Sequence, residues 1–111
     1  MSSLLNEPEK PSLIHGDIWG GNVLAHEGEI AAFIDPAIYY ADAEVELAFI
    51  TLFRTFGQTF FSEYSNIRTI DAGFYDTRRH LYNLYPLLVH VQIFGGAYVQ
   101  QLDSIVRRFV D

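Results

Sequence analysis

Leu13-Ile14-His15-Gly16-Asp17-Ile18-Trp19-Gly20-Gly21-Asn22, followed by Phe33-Ile34-Asp35-Pro36, is the stretch whose reading decides the fold. Between its two halves, Val23-Leu24-Ala25 and Ile30 to Ile34 are apolar, β-compatible runs around His26-Glu27-Gly28-Glu29. That pattern predicts a hairpin with Gly28 at its turn. Leu13-Ile14 predicts a short strand entering the motif loop. The hairpin sets Asn22 at its entry and Asp35 at its exit, so residues far apart in sequence return to one end of it.

Working outward, the pattern changes from strand to helix after Asp35. Asp42 reads as an N-cap, with Glu44 and Glu46 favourably placed in the first turn. Val45, Ala48, Phe49, Leu52 and Phe56 supply an apolar stripe. Gly57 should break this helix, and a second short one through Phe60, Phe61 and Tyr64 should precede a turn at Asp71-Ala72-Gly73. Phe74 to Phe94 suits a long buried helix bent near Pro86, which lacks a backbone donor. Gly95-Gly96 separates it from a last amphipathic helix, with Tyr98, Leu102, Ile105, Val106 and Phe109 on one side and Arg107 and Arg108 at its carboxyl end. Upstream, Glu7-Pro8-Glu9-Lys10-Pro11 reads as a flexible lead-in. The expected architecture is mainly α with a small β-hairpin (α+β): a flexible leader over 1–12, then one domain over 13–111.

Composition supports a single packed core: half of the 111 residues are hydrophobic and 15% are aromatic. A net charge of -7 argues against nucleic acid as a partner, which would require a clustered basic surface. Cysteine is absent, which removes disulfides and thiolate zinc sites and is compatible with a reducing cytoplasm. No apolar run approaches a membrane span and residues 1–12 carry no apolar signal-type segment, so a soluble, cytoplasmic protein is expected.

Taken singly, Asp17 and Asn22 are turn formers and Asp35-Pro36 is a strand terminator. Their conjunction points elsewhere. Phosphoryl transfer asks a protein mainly to orient a hydroxyl and to neutralise charge with metal ions. A catalytic-loop Asp, an Asn five residues later and an Asp after the next hairpin meet that need, and here they are Asp17, Asn22 and Asp35. Magnesium prefers hard oxygen ligands and retains waters, so one amide and one carboxylate suffice beside substrate phosphates. His15 is expected to brace the loop through hydrogen bonds. Trp19 lies near the presumed base, where its ring could pack on a sugar. Tyr39 and Tyr40 follow Asp35 closely and either line the cleft or pack in the core. His26 should be exposed, His80 solvated and His90 a hydrogen-bonded core histidine. Gly20-Gly21 lacks the spacing of a phosphate-binding fingerprint.

From His15 to about Arg108 the chain resembles the carboxyl-terminal lobe of fructosamine kinases (ketosamine-3-kinases), within the aminoglycoside-phosphotransferase and choline-kinase-like group. The resemblance rests on Leu13 to Asn22, on Phe33-Ile34-Asp35-Pro36-Ala37-Ile38-Tyr39-Tyr40, and on Leu81-Tyr82-Asn83-Leu84-Tyr85-Pro86-Leu87-Leu88 with Phe94-Gly95-Gly96-Ala97-Tyr98. Proline after Asp35, where antibiotic kinases usually carry tryptophan, favours the ketosamine branch. The resemblance implies a protein-kinase-like carboxyl lobe and transfer of the ATP γ-phosphate to the 3-hydroxyl of a free or protein-bound ketosamine. It makes Asp17 the base, Asn22 and Asp35 the magnesium (Mg2+) ligands, and Trp19 a sugar-side residue; Tyr39, from its place just after Asp35, is expected as a second substrate contact.

Three departures shape the expectation. Glu46-Leu47-Ala48 stands where the family usually has Asp-Leu-Ala, at a side chain thought to brace the catalytic loop; Val89 and Gln92 replace expected asparagines. The chain's one lysine, Lys10, sits in the proline-flanked leader, so the phosphate-contacting lysine of an amino-terminal lobe has no counterpart. The expectation is therefore a truncated kinase lobe with negligible activity alone, associating as a homo-oligomer or with the missing lobe through its uncovered apolar face. The alternatives are a non-catalytic binding or scaffold module, one half of a split kinase, or a fragment of an aminoglycoside- or choline-type kinase.

Overall fold

A computed structural model describes residues 10–110, and the expected leader lies outside these as far as residue 9. Four short strands, β1 (Ser12–Ile14), β2 (Val23–His26), β3 (Glu29–Phe33) and β4 (Tyr39–Ala41), form two antiparallel pairs. In β2–β3, Val23 faces Phe33 and His26 faces Glu29 across a two-residue turn whose Glu27 and Gly28 both have positive φ. That is the turn geometry whose twist matches a hairpin. A register shift between Leu24 and Ala25 inserts one residue into β3. The second pair was not legible in the sequence: β1 lies against β4, with Ser12 opposite Ala41 and Ile14 opposite Tyr39. It closes the whole motif region, 15 to 38, into a loop whose two ends meet.

Helices α1 (Ala43–Phe53), α2 (Gln58–Ile67), α3 (Arg79–Phe94) and α4 (Val99–Phe109) follow. The Asp42 carboxylate accepts the Glu44 N–H at 3.0 Å, satisfying one of the first-turn donors of α1. The helix ends earlier than Gly57, because Arg54 turns left-handed (φ 52) and its N–H reaches back to the Ile50 carbonyl. Gly57 is the N-cap of α2. Of the expected stripe only Ala48 is fully buried, joined by Leu47 and Ile50; α1 is apolar on most sides and packs against both α3 and β1, so one-sided periodicity misplaces most of its core face. Leu47, Ala48 and Phe74 form the main core cluster, enclosed by aromatic residues of α2 such as Phe60 and Tyr64.

Asp71-Ala72-Gly73 opens a helix rather than forming a separate turn. Asp71 accepts the Phe74 N–H through its backbone and side-chain oxygens, at 3.1 and 3.2 Å, and a π-helical turn over Phe74–Arg78 runs into α3. Arg78 is buried there, its Nε and Nη2 on the two Glu44 oxygens at 2.8 and 3.0 Å and its Nη2 also on Asp71 at 2.7 Å. This staples the first turn of α1 to the start of α3. Along α3 only Leu81, Asn83 and Leu87 are buried; Tyr85, Leu88, Ile93 and Phe94 are exposed, because its neighbours among the described residues cover one side. In α4, Ile105 is buried and Val106 is exposed, while Arg107 pairs with Asp103 at 2.7 Å. His80 is not solvated as expected: its Nε2 is buried with no hydrogen-bond partner among the described residues, and burial depresses its pKa, with Arg108 and Arg79 adding to the effect. Among the described residues no helix is long and apolar enough to cross a membrane.

Candidate active site

The loop leaving β1 is shaped by Gly16, whose φ of 88° lies in the left-handed region and whose missing side chain lets the Ala37 carbonyl approach; an added Cβ would collide with it. Three contacts then stitch the loop to the rest of the fold. Glu46, from the first turn of α1, accepts the His15 N–H at 3.2 Å and the Gly16 N–H at 2.9 Å, one on each carboxylate oxygen. The His15 carbonyl accepts the Ala37 N–H at 2.8 Å. The His15 ring bridges two segments: Nδ1 accepts the Asp17 N–H at 3.1 Å and Nε2–H donates to the Ile34 carbonyl at 2.8 Å. Those partners define one neutral tautomer. Farther along the loop, Thr55 donates its hydroxyl to the Ile18 carbonyl at 2.7 Å.

Asn22 is buried beneath this loop. Its Nδ2 donates to the Asp17 backbone oxygen at 3.0 Å and to Asp17 Oδ2 at 3.1 Å. Both amide hydrogens are thereby engaged, leaving Oδ1 as the free acceptor. The Asn22 carbonyl accepts the Ile34 N–H at 2.9 Å, which holds the end of the hairpin beside the loop. Asp35 follows in a left-handed conformation, φ 49°, and is exposed. No hydrogen bond or ion pair engages its carboxylate among the described residues.

A cleft of about 820 Å³ opens beside Asp17. Asp17, Tyr39 and Glu46 line it together with Tyr82, Tyr85 and His90 of α3. Of the other sequence-predicted residues, His15, Trp19, Asn22 and Asp35 do not line it. Trp19 is half-exposed, its indole lying where a side chain on Gly21 would be. Tyr39 and Tyr40 belong to β4 and are 47% and 70% exposed, so neither packs in the core; as neighbours on a strand they point to opposite faces, Tyr39 into the cleft wall and Tyr40 away from it. Burial raises the Tyr39 pKa, with the Glu46 carboxylate adding to it, and burial pushes Tyr82 up to about 12, with Asp42 and Glu44 adding. Both phenols stay protonated at neutral pH. His90 donates Nδ1–H to the Pro86 carbonyl at 2.7 Å, and its ring packs on Phe53.

Tyr82, Tyr85 and His90 were missed as cleft residues. Their spacing along α3 is the ordinary helical stripe, which reads the same for a core face as for a cleft wall. Among the described residues no three His, Cys, Asp or Glu side chains cluster as a metal site. The available donors are the Asn22 Oδ1 and the carboxylates of Asp17 and Asp35, hard oxygens of the kind that suit a small divalent cation shared with a phosphate.

A family model described as fructosamine kinase matches residues 1–111. A probable ketoamine kinase from Synechocystis sp. is 42% identical over 99 residues, spanning 88% of this chain and 33% of the relative. The chloroplastic protein-ribulosamine 3-kinase of Arabidopsis thaliana is 35% identical over 97 residues, spanning 87% and 29%. The crystal structure of a Thermobifida fusca protein assigned as a fructosamine-3-kinase superposes with a TM-score of 0.78 at 36% identity, covering 96% of this chain and 36% of that one. The chain thus spans about a third of the length of the relatives it matches.

Proposed function

Because the chain belongs to the fructosamine kinase family, we propose that it forms the floor of an ATP- and magnesium-dependent phosphotransferase site acting on the 3-hydroxyl of ketosamines. In this reading Asp17 orients the acceptor hydroxyl and takes its proton as that oxygen attacks the γ-phosphorus and ADP departs. Asn22 Oδ1 and the Asp35 carboxylate would hold magnesium, which offsets charge on the transferred phosphate. His15 and Glu46 are positioning residues. Glu46, one methylene longer than the Asp usual in the family, still reaches both loop amides. Tyr39 faces the substrate from the wall of the cleft, and Trp19 approaches it from the half-exposed rim of the loop.

The observation that carries this reading is the Asn22 side chain. Its two donations to Asp17 fix the base and direct the amide oxygen away from it, so one residue sets the orientation of both proton acceptor and metal ligand.

Residues 10–110 carry no glycine-rich phosphate cover, and the single lysine is Lys10. The reading therefore gives the 111-residue chain negligible turnover alone and full chemistry only with an upper lobe. Leu13, Ile38 and Tyr40, all more than half exposed on the β1–β4 side, support association there, with that lobe or with a second copy.

The test is to fuse the chain to the amino-terminal two-thirds of the Synechocystis relative and to assay ATP-dependent phosphorylation of fructosyl-lysine against an aminoglycoside. Turnover of fructosyl-lysine, reduced by Asp17→Asn by about 10²- to 10⁴-fold, is expected. A folded chimera that prefers the aminoglycoside would overturn the substrate class. One that binds magnesium-ATP and phosphorylates neither would favour a non-catalytic binding module.

A further inference from the structure

A separate cavity of about 720 Å³ lies among the end of α1, α2 and the start of α3. It shares no lining residue with the cleft at Asp17 and contains no acidic side chain. Arg54 and Arg79 line it, with Ser62 and Ser65 of α2 and the rings of Phe61 and Tyr75. The cavity thus gathers two guanidiniums in a chain of net charge -7.

Arg78 and Arg107 are each engaged by carboxylates, whereas no carboxylate lies within ion-pair distance of Arg54, Arg68, Arg79 or Arg108 among the described residues, and of these four Arg54 and Arg79 share the cavity. Arg79 donates Nε–H to the Tyr75 carbonyl at 2.7 Å, which fixes its plane and leaves its terminal nitrogens for a ligand. Arg54 is held in a left-handed conformation, φ 52°, a backbone state that few non-glycine residues adopt. Ser65 Oγ accepts the Ile70 N–H at 3.2 Å, so its own hydroxyl proton remains to be donated. Gly57, which also lines the cavity, caps α2 without a side-chain acceptor. Phe61 meets Tyr75 edge to face at 6.2 Å, giving the cavity an aromatic wall.

We propose that this cavity binds a small organic phosphate, a phosphate monoester whose oxygens meet Arg54, Arg79 and the α2 hydroxyls while its organic body packs on Phe61 and Tyr75. The donors outnumber what a carboxylate accepts and match the three terminal oxygens of a monoester. Every donor comes from an element other than the loop carrying Asp17, so the site is independent of the phosphotransferase reading.

The probe is phenyl phosphate, titrated calorimetrically into the 111-residue chain in magnesium-free, low-salt buffer, beside phenol, benzoate and inorganic phosphate. Phenyl phosphate should bind saturably and about tenfold or more tighter than each of the three. Arg54→Asn, which keeps a residue tolerant of left-handed backbone, should weaken it about tenfold. Ser62→Asp, at an exposed helix position, should abolish it by placing a carboxylate among the donors. Asp17→Asn should leave it unchanged. Each variant is checked for wild-type circular dichroism, and if one does not fold the other decides. The proposal is overturned by absent binding, by wild-type affinity in both folded variants, by equal affinity for phenol, benzoate or inorganic phosphate, or by loss of binding in Asp17→Asn.

Discussion

The Glu46 carboxylate accepts the Gly16 backbone N–H at 2.9 Å across 30 residues of sequence, and its second oxygen takes the His15 N–H. Glu46→Ala leaves two partly buried amides without that partner and should cost about 2 to 3 kcal/mol. Glu46→Gln retains one good acceptor oxygen and should lose about half as much. Urea unfolding midpoints measure both. An alanine variant as stable as the wild type would show that water satisfies the loop amides.

Gly16 and Gly20 make a matched pair for testing the loop backbone. Gly16→Ala puts a Cβ onto the Ala37 carbonyl at a φ of 88°, whereas a Cβ at Gly20 meets nothing within 4 Å. Gly16→Ala should therefore lower stability by about 2 kcal/mol or more, and Gly20→Ala should stay within about 0.5 kcal/mol. Thermal unfolding of the two variants side by side checks this, and equal melting temperatures would contradict it.

Arg78 joins α1 to α3 with a side chain only 11% exposed, against 22% for Glu44 and 65% for Asp71. Arg78→Met strands the Glu44 carboxylate and should cost about 3 kcal/mol. Asp71→Asn, at the exposed end, should cost far less than Arg78→Met at neutral pH, because solvent screens that side of the pair. The Arg78 hydrogen bond, helped by those of the Phe74 and Gly73 amides, holds the Asp71 carboxyl below its ordinary 3.8. Its contribution is complete above 3.8 and disappears as pH falls through the lower folded value. The acid limb of a stability–pH curve should be shallower in Asp71→Asn than in the wild type.

His80 predicts a second pH effect, nearer neutrality. Burial, then the charges of Arg108 and Arg79, lowers its pKa from 6.5, so between 6.5 and the folded value the unfolded chain binds the extra proton. Stability is full above 6.5 and falls as pH drops through that window. His80→Leu removes the titration and the unpaired Nε2 together, and should flatten the slope below pH 6.5. Identical slopes in both proteins would mean that the ring is hydrated.

What could be read in the sequence was local. The hairpin announced itself through two apolar runs and a glycine turn, and Asp42 through the acidic first turn behind it; both depend on neighbours a few residues away. The meeting of Asn22 with Asp17 follows from the same short loop. Pairing of β1 with β4 was hidden because three-residue strands carry little pattern and their register is set by the closed loop between them. The apolar character of α1 concealed which side faces inward, and the tyrosines of α3 looked like core because helical spacing does not distinguish packed residues from those lining a cleft. The buried position of Arg78 needed Glu44 and Asp71 to be seen together in space.

The braces on the motif loop also set an order of assembly. His15 reaches Ile34 across 19 residues and Glu46 across 31, whereas the helices close their own hydrogen bonds within single turns. The motif-loop geometry should thus consolidate after the folding barrier has been crossed. Substitutions at Glu46 should then speed unfolding and leave the refolding rate nearly untouched, giving transition-state φ-values near zero in chevron measurements. On that account the loop proposed to carry the chemistry is the last part of the chain to form and the first to loosen.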